Sequence, residues 1–170
     1  MQPSNRVSSS GAGSAADAHN QFITFRLGEQ EYGVDIMVVR EIKGWSETTS
    51  IPNAPRFIQG VINLRGIIVP IMDLRARLGM ELTRPTPMHV MIIITTGTRT
   101  TGLLVDAVSD IISVAPDAIK PLPDMGSAVH ENLLTGLVAV GERMVSLVSL
   151  EGLIGTGALA NADLPLQSAA

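Results

Sequence analysis

The side chains of this 170-residue chain that could move a proton or hold a metal are three histidines, His19, His89 and His130, and the carboxylates Asp35, Glu41, Asp73, Asp106 and Asp110. The histidines are far apart, and none has a companion ligand three or four residues on, so surface or structural roles are expected of them. The carboxylates are scattered through strand-like stretches and read as solvated or turn residues. A serine nucleophile would need a G-x-S-x-G elbow and a phosphate site a Walker A loop, and neither occurs. G-A-G-S-A-A (11–16) and G-T-G-A-L-A (155–160) satisfy a loose dinucleotide-binding pattern, but neither has the strand, turn and helix that give it meaning. No catalytic constellation assembles, so the chain is expected not to be an enzyme and to carry no cofactor and no metal. An enzyme or small-molecule-binding β protein with an unrecognised pocket is the alternative.

The composition narrows the field further. There are no cysteines, which removes disulfides, thiolate metal sites and thiol nucleophiles and fits a reducing cytosol. The net charge of −4 opposes the broad basic surface of a nucleic-acid binder. Uninterrupted apolar runs such as Val90–Ile94 fall far short of the roughly 20 residues that span a bilayer, so no membrane insertion is expected. With 45% hydrophobic residues the chain can build a sizeable core. What remains is a protein that works through its surface.

The elements carrying that surface are short. Between about Gln21 and Ile154, aliphatic and β-branched runs alternate with Gly, Pro, Asn and Asp, a pattern of many short strands. F-I-T-F-R-L, a turn in G-E-Q-E-Y-G, and V-D-I-M-V-V-R-E-I predict a hairpin followed by a further strand or one helical turn. Val90–Thr96, G-T-R-T-T-G and L-L-V-D-A-V-S-D-I-I repeat that plan. Laying Tyr32–Ile42 over Thr101–Ile111 aligns Gly33 with Gly102, Val39 with Val108, Ile42 with Ile111 and Glu41 with Asp110. Laying Gly60–Gly79 over Gly136–Gly155 aligns Gly60 with Gly136, Val69 with Val145, Leu74 with Leu150 and Gly79 with Gly155. The second half carries extra residues between about Ala115 and Asn132. Two tandem β modules of ~60 to 65 residues follow, each marginal alone and therefore expected to share a packed interface. A flexible leader is expected over 1–20 and a flexible tail over 156–170. The first module covers about 21–85 and the second about 86–155, with the boundary near Thr86 and the terminal strands open to exchange.

The repeat also separates framework from decoration. Asn63, Arg65, Gly66 and Asp73 of the first copy face Ala139, Gly141, Glu142 and Ser149 of the second. N-L-R-G therefore reads either as an ordinary turn, with Arg65 pointing to water, or as a turn that presents Arg65 to a partner through its fixed fork of donors. Met37, Val38, Val39 and Ile42 carry more apolar surface than a small module need bury. They are either all core, or some of them face a groove between the two modules.

F-R-L-G-E-Q-E-Y-G-V-D-I-M-V-V-R-E-I-K-G-W (25–45), I-P-N-A-P-R-F-I-Q-G-V-I-N-L-R-G-I-I-V-P-I-M-D-L-R (51–75), G-L-L-V-D-A-V-S-D-I (102–111) and L-T-G-L-V-A-V-G-E-R-M-V-S-L (134–147) resemble the CheW-like proteins of bacterial chemotaxis. The likeness runs from about Phe22 to Ile154. It implies an all-β fold of two five-stranded SH3-like β-barrels packed side by side, with short helical segments. It also implies a non-enzymatic adaptor that couples the cytoplasmic signalling tips of methyl-accepting chemoreceptors to the regulatory domain of a CheA-type histidine kinase. Such an adaptor would be cytoplasmic, recruited to the inner face of the membrane in receptor arrays, with self-association an open possibility. Carried over by motif, Val39, Glu41 and Arg65 would face the receptor, and Val108 and Gly136 would face the kinase or support that face.

Overall fold

The computed structural model describes residues 20–123 and 132–155. The expected leader up to residue 19, the tail over 156–170, His19 and His130 lie outside them. β1 (Asn20–Leu27) turns through Gly28 and Glu29 into β2 (Gln30–Asp35), with Leu27 opposite Gln30. A two-residue loop between right-twisted strands needs a left-handed backbone, which Gly28 supplies at φ 64°. The segment left open between strand and helical turn contains both: a 3-10 turn over Ile36–Val38, capped by the Asp35 carboxylate, precedes β3 (Val39–Gly44). β4 (Ile58–Leu64) and β5 (Ile67–Asp73) form a second hairpin, followed by the single helical turn α1 (Leu74–Arg77). The second half repeats the order with β6 (Val90–Thr96), β7 (Arg99–Val105), β8 (Ala107–Val114), β9 (Leu134–Val140) and β10 (Arg143–Val148).

These strands make two five-stranded sheets, and the exchange between halves is reciprocal. Sheet one runs β8-β1-β2-β10-β9 and sheet two runs β3-β6-β7-β5-β4. The first hairpin of each half thus completes the sheet built by the last three strands of the other half. Thr86, the sequence boundary, falls between β5 and β6, both of which belong to sheet two. The cause is the one parallel pairing in each sheet, β10 with β2 and β5 with β7. A parallel partner cannot come from an adjoining hairpin and must arrive by a long crossover.

Each sheet also draws its own edges together. In sheet two the chain leaving β3 bridges to β4 on the opposite edge, where Thr49 and Val61 exchange hydrogen bonds of 2.9 and 2.8 Å. In sheet one the chain leaving β8 does the same at Lys120 and Leu137, with two bonds of 2.8 Å. Burial then sorts into three clusters. Ile62, Val69, Met91, Ile93 and Leu104 pack within sheet two, and Phe22, Ile112, Val138, Val145 and Leu147 within sheet one. The largest cluster joins Phe25, Leu27 and Val34 of sheet one to Ile92, Ile94 and Leu103 of sheet two. Strand β6 therefore buries both faces, which is why Val90–Ile94 reads as a continuous apolar run rather than an alternating one.

Candidate functional site

In the β4–β5 hairpin Leu64 pairs with Ile67, leaving Arg65 and Gly66 as a two-residue loop at φ 53° and 90°. Positive φ at both central residues marks a type I′ turn, a place that favours Asn or Gly and tolerates arginine poorly. Asn63 Oδ1 accepts a hydrogen bond of 2.7 Å from the Gly66 amide and closes the turn from inside. The turn aims Arg65 at Glu41 on β3, and the two side chains form an ion pair. Because β3 and β4 are the outermost strands of sheet two, this pair ties one edge to the other, above the Thr49–Val61 bridge. The hydrogen bond from Arg65 holds the Glu41 carboxyl below its ordinary range, against an opposing contribution from desolvation. Arg65 nevertheless leaves 71% of its side chain exposed, so its remaining donors stay available.

Apolar side chains lie near both partners in sequence, though Ile42, next to Glu41 on β3, points to the opposite face of the strand. Val38 and Val39 are half-buried and pack against the inter-sheet core, whereas Met37 and Ile42 are 85% and 44% exposed. Ile67, next to the turn, is 57% exposed. The apolar excess noted over residues 37–42 is therefore divided between core and solvent.

Val108 and Gly136 lie on the other sheet, in its edge strands β8 and β9, and the structure does not bring them together with Arg65. Val108 sits opposite Phe25, half-buried against the inter-sheet core. Gly136 is seated under the closing bridge: a Cβ there would lie 2.8 Å from the Lys120 carbonyl oxygen and 2.9 Å from Ile119 Cγ2. Its repeat partner Gly60 meets the Thr49 carbonyl oxygen in the same way, at 2.5 Å. The glycine shared by the two copies thus marks where each closing segment crosses a strand.

Two polar clusters lie apart from the expected site residues. Asp73, expected to be a solvated or turn residue, is fully buried and caps the helical turn α1. It accepts 2.7 Å bonds from the Thr83 amide and hydroxyl. Its counterpart Ser149 likewise accepts from the Gly152 amide, at 3.1 Å, so the two residues do one job with different chemistry. Asp106, between β7 and β8, accepts from Arg75 at 2.5 and 3.1 Å and from the Gly28 amide at 2.7 Å, and lies 3.5 Å from His89 Nε2. His89 Nδ1 accepts from the Thr86 amide at 3.0 Å, which leaves Nε2 as the protonated nitrogen facing Asp106. The departure of Asp106 from Met37 in the aligned repeat was a usable signal for this cluster.

The chain matches the model of the CheW-like domain over residues 21–157. It is 47% identical over 133 residues to the probable chemotaxis protein CheW of Rhizobium etli, covering 78% of this chain and 86% of that protein. It is 43% identical over 143 residues to the chemotaxis protein CheW of Klebsiella aerogenes, covering 84% and 86%. Among solved structures, the scaffolding protein TtCheW from Thermoanaerobacter tengcongensis superposes with a TM-score of 0.75 at 31% identity, covering 82% of this chain and 95% of that one.

Proposed function

The chain belongs to the CheW-like domain family, and from that premise we propose that it is a non-enzymatic adaptor of chemotaxis signalling, coupling chemoreceptor signalling tips to a CheA-type histidine kinase. The observation that carries this reading is the match over residues 21–157 together with the exposed Arg65–Glu41 pair on sheet two. The receptor contact is Val39, Glu41 and Arg65. A receptor tip is a helical hairpin, and the β4–β5 turn, with Arg65 and the exposed Ile67 beside it, suits one face of such a helix: Ile67 supplies apolar area and Arg65 fixes register. The kinase contact is on sheet one around Val108, with Gly136 supporting the fold of that face. No helix among the described residues is long and apolar enough to cross a membrane. In this reading, recruitment to the inner face of the membrane runs through the receptors.

Isothermal titration of a receptor signalling-tip fragment into the protein and into Arg65→Glu tests the assignment. Reversal of the charge that faces Glu41 lowers affinity on the order of tenfold while the far-ultraviolet spectrum is unchanged. Equal affinity of the two proteins removes Arg65 from the contact, and loss of secondary structure in the variant assigns Arg65 to the fold instead.

A further inference from the structure

The chain crosses between the sheets twice, from β2 to β3 and from β7 to β8, and the internal repeat makes the two crossings equivalent. Asp106 at the second crossing aligns with Met37 at the first. The hairpin glycines that flank them, Gly28 and Gly97, align as well and share a left-handed backbone, at φ 64° and 61°. In the second repeat alignment Arg75 of α1 faces Glu151. The two joints nevertheless differ completely in chemistry. At the second, the Asp106 carboxylate gathers α1 through Arg75, the β1–β2 turn through the Gly28 amide and the start of β6 through His89. Sheet one supplies the β1–β2 turn, and sheet two is joined to α1 and contains β6. At the first, Met37 is 85% exposed and has no carboxylate to offer, and Glu151 replaces the cation.

We propose that Asp106 is a positioning residue: with Arg75, His89 and the Gly28 amide it adds to the shared inter-sheet core and the Arg77–Gly152 bond a charged clamp at the second crossing, and so holds the receptor-facing and kinase-facing surfaces in the relative placement that simultaneous docking requires. The coupling half of this statement rests on the adaptor reading above; the joint itself does not. Breaking the clamp leaves each sheet with its own internal cluster and its own closing bridge, and leaves the apolar core between the sheets in place, so each docking surface survives alone. What is lost is the directional constraint at the second crossing, without which the sheets can shift on that non-directional core and binding of a second partner is less effectively intramolecular.

The absence of cysteine makes the joint directly measurable. Nitroxides on Thr98→Cys, in the β6–β7 turn of sheet two, and Glu142→Cys, in the β9–β10 turn of sheet one, report the inter-sheet distance by pulsed dipolar spectroscopy. Asp106→Asn is expected to widen that distribution about twofold, and Arg75→Lys, which keeps the charge but loses the planar fork, to widen it less. In parallel, binding of a receptor-tip fragment alone and of the kinase alone should stay within about twofold of the unsubstituted protein, while ternary assembly falls about tenfold. An unchanged distance distribution in Asp106→Asn overturns the joint. Binary affinities that fall as far as the ternary one overturn the coupling, because the variant would then act by general loss of fold. Failure of the unsubstituted protein to bind either partner overturns the adaptor reading and the coupling with it, while the distance measurement still tests the joint.

Discussion

Replacing Gly136 by alanine puts a methyl group 2.8 Å from the Lys120 carbonyl oxygen and 2.9 Å from Ile119 Cγ2. The carbonyl belongs to the backbone that closes sheet one, so the strain cannot be relieved by turning a flexible side chain aside. Overpacking of this kind costs about 1 to 3 kcal/mol. Displacing the closing segment also weakens the two 2.8 Å bonds between Lys120 and Leu137, each worth about 0.5 to 1.5 kcal/mol net. The opposing gain from removing a flexible glycine is about 0.4 to 1 kcal/mol and does not change the sign. A net loss of about 2 to 4 kcal/mol, divided by a urea slope of about 2 kcal/mol/M, lowers the unfolding midpoint by about 1 to 2 M. Urea titration followed by far-ultraviolet circular dichroism and by the fluorescence of Trp45, the single tryptophan, measures it on both sheets. Gly44→Ala is the control, since a Cβ there meets nothing within 4 Å. If Gly136→Ala unfolds at the same urea concentration as Gly44→Ala yet fails to bind the kinase, Gly136 is a contact residue and the close-approach argument is wrong.

Three further expectations follow from the same geometry. Asp73→Ala strands the buried Thr83 donors and should cost about 2 to 4 kcal/mol in thermal or urea unfolding, whereas Asp73→Ser, which restores the cap used by the second copy, should recover part of it. Burial pushes the Asp106 carboxyl up, but the bonds from Arg75 and the Gly28 amide outweigh it and leave it below its ordinary value. A folded value below the unfolded one means stabilisation that is fully present above the unfolded carboxylate range near ~4 and lost as pH falls through the folded value, so Asp106→Asn should flatten the acid limb of a stability–pH curve below about pH 5. Glu41, also held low, leaves a residual limb of the same sign. Arg65→Asn places a preferred residue in the type I′ turn and should raise the melting temperature while weakening receptor binding, a split that a purely structural arginine would not give.

How far the fold was legible depended on where its signals were local. The hairpins at Gly28 and at Arg65–Gly66 were readable because turn chemistry is set by a few adjacent residues. The tandem repeat was readable because each half buries the same faces. The reciprocal exchange was not, since β1–β2 and β6–β7 carry the same apolar pattern whichever sheet they complete, and only the inter-sheet packing of Phe25 and Val34 against Ile94 and Leu103 selects the arrangement. At the site, N-L-R-G stood out against its own second copy, but its partner Glu41 could not be inferred from a spacing set by closure of the sheet edges. Asp73 misled because unlike side chains, Asp and Ser, cap equivalent turns. Asp106 was passed over because its partners Gly28, Arg75 and His89 are far from it in sequence and meet only where the chain passes between sheets.

The proposed bridging of receptor and kinase through two separate surfaces can be checked by co-sedimentation with membranes containing chemoreceptors, with and without the CheA-type kinase. The protein should pellet with receptor membranes by itself, kinase should pellet only when it is present, and Arg65→Glu should shift both to about tenfold higher protein concentration. Kinase that pellets equally without the protein, or protein that stays in the supernatant with receptor membranes and kinase present, would contradict it.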